Sequence, residues 1–189
     1  LGNALAPYDP LFFEEPIRPE NVEVWGDIRR ELACTLATGE SLYSRFEFLR
    51  LLSVRGADII QPDICVVGGL LEMRKIAALA EAHYVTVAPH NPMGPLATAV
   101  NVHFSAAQPN FRILEYRLPH GVNYDDQKAK SEGAPYVADP YLPVDGYLQL
   151  RPDRPGWGVE IDEDVLKKDG YIHWERKVTK RPDGSTAYV

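Results

Sequence analysis

The sequence predicts an α/β chain that forms part of a (β/α)8 TIM-type barrel. Three observations carry this. Short apolar runs alternate with longer amphipathic stretches. Each run ends on a polar, chemically capable residue, and those residues recur at a near-constant interval: Glu14 to Glu40 is 26 positions, Glu40 to Asp63 is 23, Asp63 to His90 is 27 and His90 to Glu115 is 25. One strand, one helix and two short loops consume about this much chain. Finally, no Gly-rich phosphate loop follows the first run, as an open doubly wound sheet would favour.

The first run is Asp9–Pro16, followed by a helical pattern at 21–33 with Val22, Val24, Trp25, Ile28 and Leu32 as its apolar side. Cys34–Glu40 precedes a helix near 45–55, and Ala57–Asp63 precedes one near 69–83. Val85–His90 precedes a helix near 95–107, and Phe111–Glu115 is the last run. Strands of this length between helical patterns imply βαβ units and a parallel sheet. Residues 1–119 are therefore expected to form a partial barrel. Residues 120–158 are rich in Pro, Gly, Asp and Tyr, and read as mostly irregular chain. Val159–Lys168 has room for one short turn or helix, and Tyr171–Val189 suggests strands around the turn Pro182-Asp183-Gly184. The whole segment 120–189 is expected to wrap back over the barrel or over another domain.

Composition narrows the function. The 189 residues are 45% hydrophobic, enough for a substantial core, and carry a net charge of -7. A nucleic-acid partner is not expected of so acidic a chain. No apolar run reaches the roughly 18 residues of a membrane span, and the start Leu1-Gly-Asn-Ala lacks the features of a signal peptide. The expected location is the cytoplasm, and the start at Leu1 reads as a processed, trimmed or partial chain. Cys34 and Cys65 both lie in apolar strand-like runs without metal-site spacing, and are expected to be reduced core residues.

In a barrel, chemistry gathers at the C-terminal ends of the strands, where the five repeated residues fall. Glu14 and Glu40 end successive strands and should project toward one mouth. Two carboxylates there repel, and desolvation makes this worse, so a hard divalent cation such as Mg²⁺ is the natural compensation. The plainer alternative is a pair of exposed loop glutamates. Adjacent strand residues face opposite sides, so Glu15 should play a different, supporting part. Asp63 beside His90 would fix the tautomer of the imidazole and favour its charged form, making a general base. The alternative is that His90 caps the next helix. Glu115 could donate a hydrogen bond if protonated or accept one from a hydroxyl, or be an ordinary surface carboxylate. Gly68, Gly69 and Gly94 let backbone approach a ligand or simply form turns. Tyr43, Arg45, Asn91 and Tyr116 lie beside the mouth in sequence, and Asn91 is the candidate substrate contact. His83, His103, His120 and His173 have no such partners in sequence and read as structural or exposed.

Several stretches resemble the enolase superfamily, its mandelate racemase-like branch, and the galactonate dehydratase-type sugar-acid dehydratases within it. They are FFEEP (12–16), ATGESLYSRFEF (37–48), DIIQPDICVVGGLLEMRKIAALAE (58–81), VAPHNPMGP (87–95), the run ending at Glu115, PGWGVEIDEDVL (155–166) and the terminal PDGSTAYV (182–189). Together they cover nearly the whole chain. The resemblance implies that Glu14 and Glu40 are two of three Mg²⁺ ligands, that His90 and Asp63 are a base dyad, and that Glu115 meets the enolate oxygen. It implies removal of the proton α to a carboxylate, an enediolate, and β-elimination of water to a 2-keto-3-deoxy acid. The substrate would be a small sugar acid, and the enzyme a homo-oligomer. A racemase, epimerase or cycloisomerase on the same scaffold is the near alternative, and an inactive fragment or non-catalytic subunit the distant one. The third ligand, an aspartate on the preceding strand, would precede Leu1, as would the first barrel strands and the N-terminal capping domain. Residues 1–119 would then supply strands four to eight, with the tail packed on that capping domain.

Overall fold

The structure, a computed structural model, describes residues 1–117, 136–169 and 180–185. A short helix, α1 (Gly2–Leu5), and a 3-10 turn (Ala6–Tyr8) lead into β1 (Phe13–Glu14). Then come α2 (Val22–Glu31), β2 (Leu36–Thr38), α3 (Arg45–Ser53), β3 (Ile59–Ile60), α4 (Leu70–Ala82), β4 (Thr86–Val87) and α5 (Pro95–Ala106), with α6 (Glu163–Asp169) further on. The four expected helices are present, each end within two residues of its expected place. The strands are shorter than the apolar runs that announced them.

The sheet has the order β1-β2-β3-β4, parallel throughout. Glu14 stands level with Ala37, Ala37 with Ile59, and Ile59 with Thr86. Strand alternation sorts side chains into two layers. Leu36, Ile60 and Val87 join the helix residues Trp25, Phe48, Leu51, Leu52, Met73, Ile76, Ala77 and Ala80 in the main core. Ala37, Ile59 and Ala88, with Phe12 packed against them, form a separate small cluster on the other side. Glu14 shares the parity of that second cluster. The helices bury residues spaced by three and four, such as Met73, Ile76, Ala77 and Ala80, as a one-sided helix must.

Local signals explain several boundaries. Ser44 starts α3 with a capping box: its hydroxyl accepts from the Glu47 N–H, and the Glu47 carboxylate accepts from the Ser44 N–H at 2.8 Å. Gly39 has φ +136, and a Cβ there would sit 2.9 Å from the Phe48 ring and 3.0 Å from the Gln61 nitrogen. Only glycine tolerates both that conformation and that proximity, and this is where β2 hands over to Glu40.

Phe111–Glu115 departs from expectation. It is not a continuous strand but runs beside β4 with a single parallel bridge, Val87 to Phe111. Val87 N–H donates to Asn110 O, and Arg112 N–H donates to Val87 O. The next rung needs an N–H at position 89, and Pro89 has none, so the ladder stops. The following bond is a long one, from Glu115 N–H to Pro89 O at 3.4 Å.

Among the described residues beyond 135, Tyr141 packs against Ala99 and Val102 of α5. Arg151 lies over the Tyr141 ring at 4.2 Å and donates to the carbonyls of Asp139, Pro140 and Gly158. The expected turn at Pro182-Asp183-Gly184 is present, closed by Gly184 N–H to Arg181 O at 2.9 Å. The strands expected on either side of it lie largely outside the described residues; His120, His173 and residues 120–135 of the irregular stretch expected over 120–158 lie wholly outside them. One cysteine expectation is corrected: Cys34 is buried, but Cys65 is exposed. Cys65 sits in the turn after Asp63, where its backbone N–H donates to Asp63 Oδ1, and its apolar neighbours in sequence do not enclose it. No helix among the described residues is long and apolar enough to cross a membrane.

Candidate active site

Asp63 and His90 sit just past β3 and β4 and are joined by a parallel bridge. The bridge keeps the register of Ile60 with Val87, three residues further along each chain. This places the two side chains side by side. His90 Nδ1 is 2.9 Å from Asp63 Oδ2, and Asp63 is 1% exposed. A buried carboxylate accepts, so in the neutral ring Nδ1 carries the hydrogen and Nε2 the lone pair. Asp63 is itself fixed, because its Oδ1 accepts from the Cys65 N–H at 2.7 Å. Burial draws the His90 pKa down, but the Asp63 hydrogen bond and the charges of Glu40, Glu115 and Asp63 outweigh it, and the net shift is upward.

The other ring nitrogen meets Glu40: Nε2 is 3.3 Å from Glu40 Oε2. Burial pushes the Glu40 carboxyl up, the nearby imidazolium opposes this, and the charges of Glu15, Glu14 and Glu115 push it further up. The charges of Glu14 and Glu115 thus both reach Glu40. Glu15 takes the supporting part expected of it. Its Oε1 accepts from Thr38 Oγ1 at 2.8 Å and from the Gly39 N–H at 3.2 Å, which ties the end of β1 to the end of β2. Its φ of 37 marks the point where the extended backbone stops.

Glu115 is held by the residue after the histidine. Its Oε2 accepts from the Asn91 backbone N–H at 2.8 Å, and its carbonyl accepts from Asn91 Nδ2 at 3.0 Å. Asn91 is 2% exposed. Its amide also donates to Thr98 Oγ1 and accepts from Asn101 Nδ2, both on α5 and both at 3.0 Å. The side chain is thus spent within the protein, where the sequence suggested a hydroxyl contact. Of the other residues beside the mouth in sequence, Arg45 pairs with Glu72 across α3 and α4 at 2.5 Å. Tyr116 OH donates to Tyr141 O, and Tyr43 is exposed. His83 Nδ1 lies 2.9 Å from Leu79 O, and His103 meets the Tyr141 and Trp157 rings edge-on, so both are structural.

Gln61 is a site residue that the sequence reading passed over. Its Nε2 donates to Glu14 Oε1 at 2.7 Å across 47 positions of chain. The available signal was its place two residues before Asp63, which puts both on the same face of an extended segment.

Among the described residues, no three His, Cys, Asp or Glu side chains form a group able to hold a metal ion. The donor chemistry nevertheless suits a hard cation. Glu14 and Glu40 offer carboxylate oxygens, and the Glu40 pKa is raised first by burial and then by the charges of Glu15, Glu14 and Glu115. A cation would relieve that repulsion. Two carboxylates would be only part of a ligand set, and other oxygens would have to complete it.

Comparison with known proteins agrees with this geometry. The enolase C-terminal domain-like family matches residues 1–165. A D-galactonate dehydratase of Xanthomonas oryzae pv. oryzae is 40% identical over 194 residues, covering 99% of this chain and 48% of the relative. The chain thus spans about half the length of the curated relatives it matches. A crystal structure of an Agrobacterium radiobacter enolase, provisionally assigned as a galactarate dehydratase and holding sodium and L-malate, is 69% identical with a TM-score of 0.87. It covers 100% of this chain and 49% of that one. A Burkholderia SAR-1 protein, provisionally assigned as a mandelate racemase/muconate lactonizing enzyme, has a TM-score of 0.79 at 35% identity, covering 98% of this chain and 45% of that one.

Proposed function

Because this chain belongs to the enolase C-terminal domain-like family, a (β/α)8 barrel-type domain, we propose that the complete protein is a Mg²⁺-dependent sugar-acid dehydratase. The observation that carries the reading is the His90 imidazole, fixed by Asp63 at 2.9 Å on one nitrogen and opening on the other toward a cluster of carboxylates. The curated relatives named D-galactonate dehydratase support the substrate class.

Glu14 and Glu40 would hold the ion, with the remaining ligands from outside this chain, its waters and the substrate. Bound there, Mg²⁺ would draw electron density from the substrate carboxylate and make the α-proton more acidic. His90 Nε2 takes that proton, and Asp63 stabilises the imidazolium that results. The electron pair of the broken C–H bond passes into the substrate carboxylate, leaving an enediolate. Glu115, if protonated, would donate a hydrogen bond to that species. Collapse of the enediolate forms the Cα–Cβ double bond and breaks the Cβ–O bond. The hydroxyl leaves as water after protonation by an acid, and the enol product tautomerises to a 2-keto-3-deoxy acid.

The test is His90→Asn in the complete protein. Turnover of aldonates should fall by about 10²–10⁴-fold, the worth of a positioned general base. Exchange of the substrate α-proton with solvent deuterium should fall with it. Undiminished exchange would refute the assignment of the base.

A further inference from the structure

We infer that Gln61 is a positioning residue that sets the carboxylate of Glu14 for cation binding. This rests on the metal reading of Glu14 and Glu40 above, and deepens it.

β1 and β3 are alternate strands of the sheet, separated by β2. In barrels of this type, inward side chains from alternate strands share a layer. Gln61 and Glu14 follow that rule, with Nε2 and Oε1 2.7 Å apart. Gln61 is well placed to act as a fixed post. It is 6% exposed, its own N–H donates to Thr38 O at 2.9 Å, and Pro62 follows it. Glu14, by contrast, lies at the exposed end of β1. Left alone, an exposed glutamate samples several rotamers, and ordering it costs free energy when an ion binds.

The chemistry of the amide matters. An N–H donor occupies one lone pair of Oε1 and leaves Oε2 untouched, without adding charge. A Lys or Arg in the same place would neutralise Glu14 and compete with the cation. A carboxylate would add to the repulsion already present, and an apolar side chain would hold nothing. The other end of the amide argues against a role in stability alone. Gln61 Oε1 is buried with no hydrogen-bond partner among the described residues, so this end of the amide adds no bond that would explain the side chain by stability. Groups that orient a ligand side chain from outside the coordination sphere typically contribute about 10–100-fold to metal affinity.

The experiment is calorimetric titration of magnesium chloride into the complete protein, as wild type and as Gln61→Leu, with thermal melting in the absence of divalent ions. Gln61→Leu keeps the volume and removes the donor. We expect an unchanged or higher Tm and an affinity for Mg²⁺ weaker by about tenfold or more. Gln61→Asn, one methylene too short to reach Glu14, should weaken binding in the same way, and serves if the leucine variant does not fold. Wild-type affinity in either folded variant overturns the inference while leaving the metal reading intact. Failure of the wild type to bind Mg²⁺ defeats the metal reading, and this inference falls with it.

Discussion

His90 Nε2 lies 3.3 Å from Glu40 Oε2, and this is the side of the ring that Asp63 does not hold. The imidazole is therefore bracketed by two carboxylates, one 1% exposed and one half-exposed. The bracket makes the site a proton sink when no cation is present, and this has a measurable consequence.

Stability without divalent ions should depend on pH with a definite sign. The folded pKa of His90 lies above its ordinary 6.5, so the folded state holds that proton more tightly than the unfolded chain. The contribution is fully present below pH 6.5 and is lost as pH rises through the folded value. Glu40, also raised, has the same sign, with its contribution present below about pH 4.5 and lost above. The Tm of the metal-free protein should therefore fall as pH rises above 6.5. Asp63→Asn, which removes the carboxylate charge that favours the imidazolium, should flatten that fall. A wild-type Tm that climbs through this range would contradict the bracket.

Asn101→Leu should destabilise the protein by about 1–3 kcal/mol, because Asn91 Oδ1 would be left buried without its donor. Denaturant titration measures this. Turnover should fall as well, since Asn91 is the residue that grips Glu115 at both its carboxylate and its carbonyl.

Gly26→Ala should also destabilise, although alanine is the better helix former. Gly26 lies inside α2, and an added Cβ would come 2.4 Å from the Val54 carbonyl oxygen. Backbone cannot yield as a flexible side chain does, so a cost of about 1–3 kcal/mol is expected. Kinetic constants should not change, which a melt paired with an assay will check.

Thiol labelling should separate the two cysteines. Cys65 should react first and Cys34 only on unfolding. Burial, and secondarily the Asp63 charge, push the Cys65 thiol up, so labelling should be slow at neutral pH and accelerate as pH rises. Peptide mapping after a timed pulse of iodoacetamide reads this directly.

The helices and the order of the strand-end residues were legible in the sequence because both rest on periodicity, which the chain displays openly. Asp63, His90 and Glu40 could be brought together from spacing alone, since parallel strands in constant register leave little choice. Asn91 could not be placed that way. A polar residue beside the histidine suggests the mouth, and only α5, with Thr98 and Asn101 on its buried face, turns it into a clamp. Gln61 escaped notice for a related reason. An amide bears no charge to repel its neighbours, so nothing in its spacing demands a partner, whereas two glutamates do. Cys65 misled because its neighbours Ile64 and Val67 are buried, while the turn between them opens one position to solvent.

Pro89 lacks the N–H that would have carried the pairing with Arg112 forward, and the consequence reaches Glu115. In unbroken register Leu114, not Glu115, would receive the next rung and lie level with His90. The slip by one hands that rung to Glu115, and a displacement of one residue exchanges the two faces of an extended chain. Leu114 accordingly turns toward Ala99, Val102 and Tyr141, while the charge of Glu115 reaches both His90 and Glu40. An imino acid one position before His90 thereby selects which neighbouring side chain lies among Glu40 and His90.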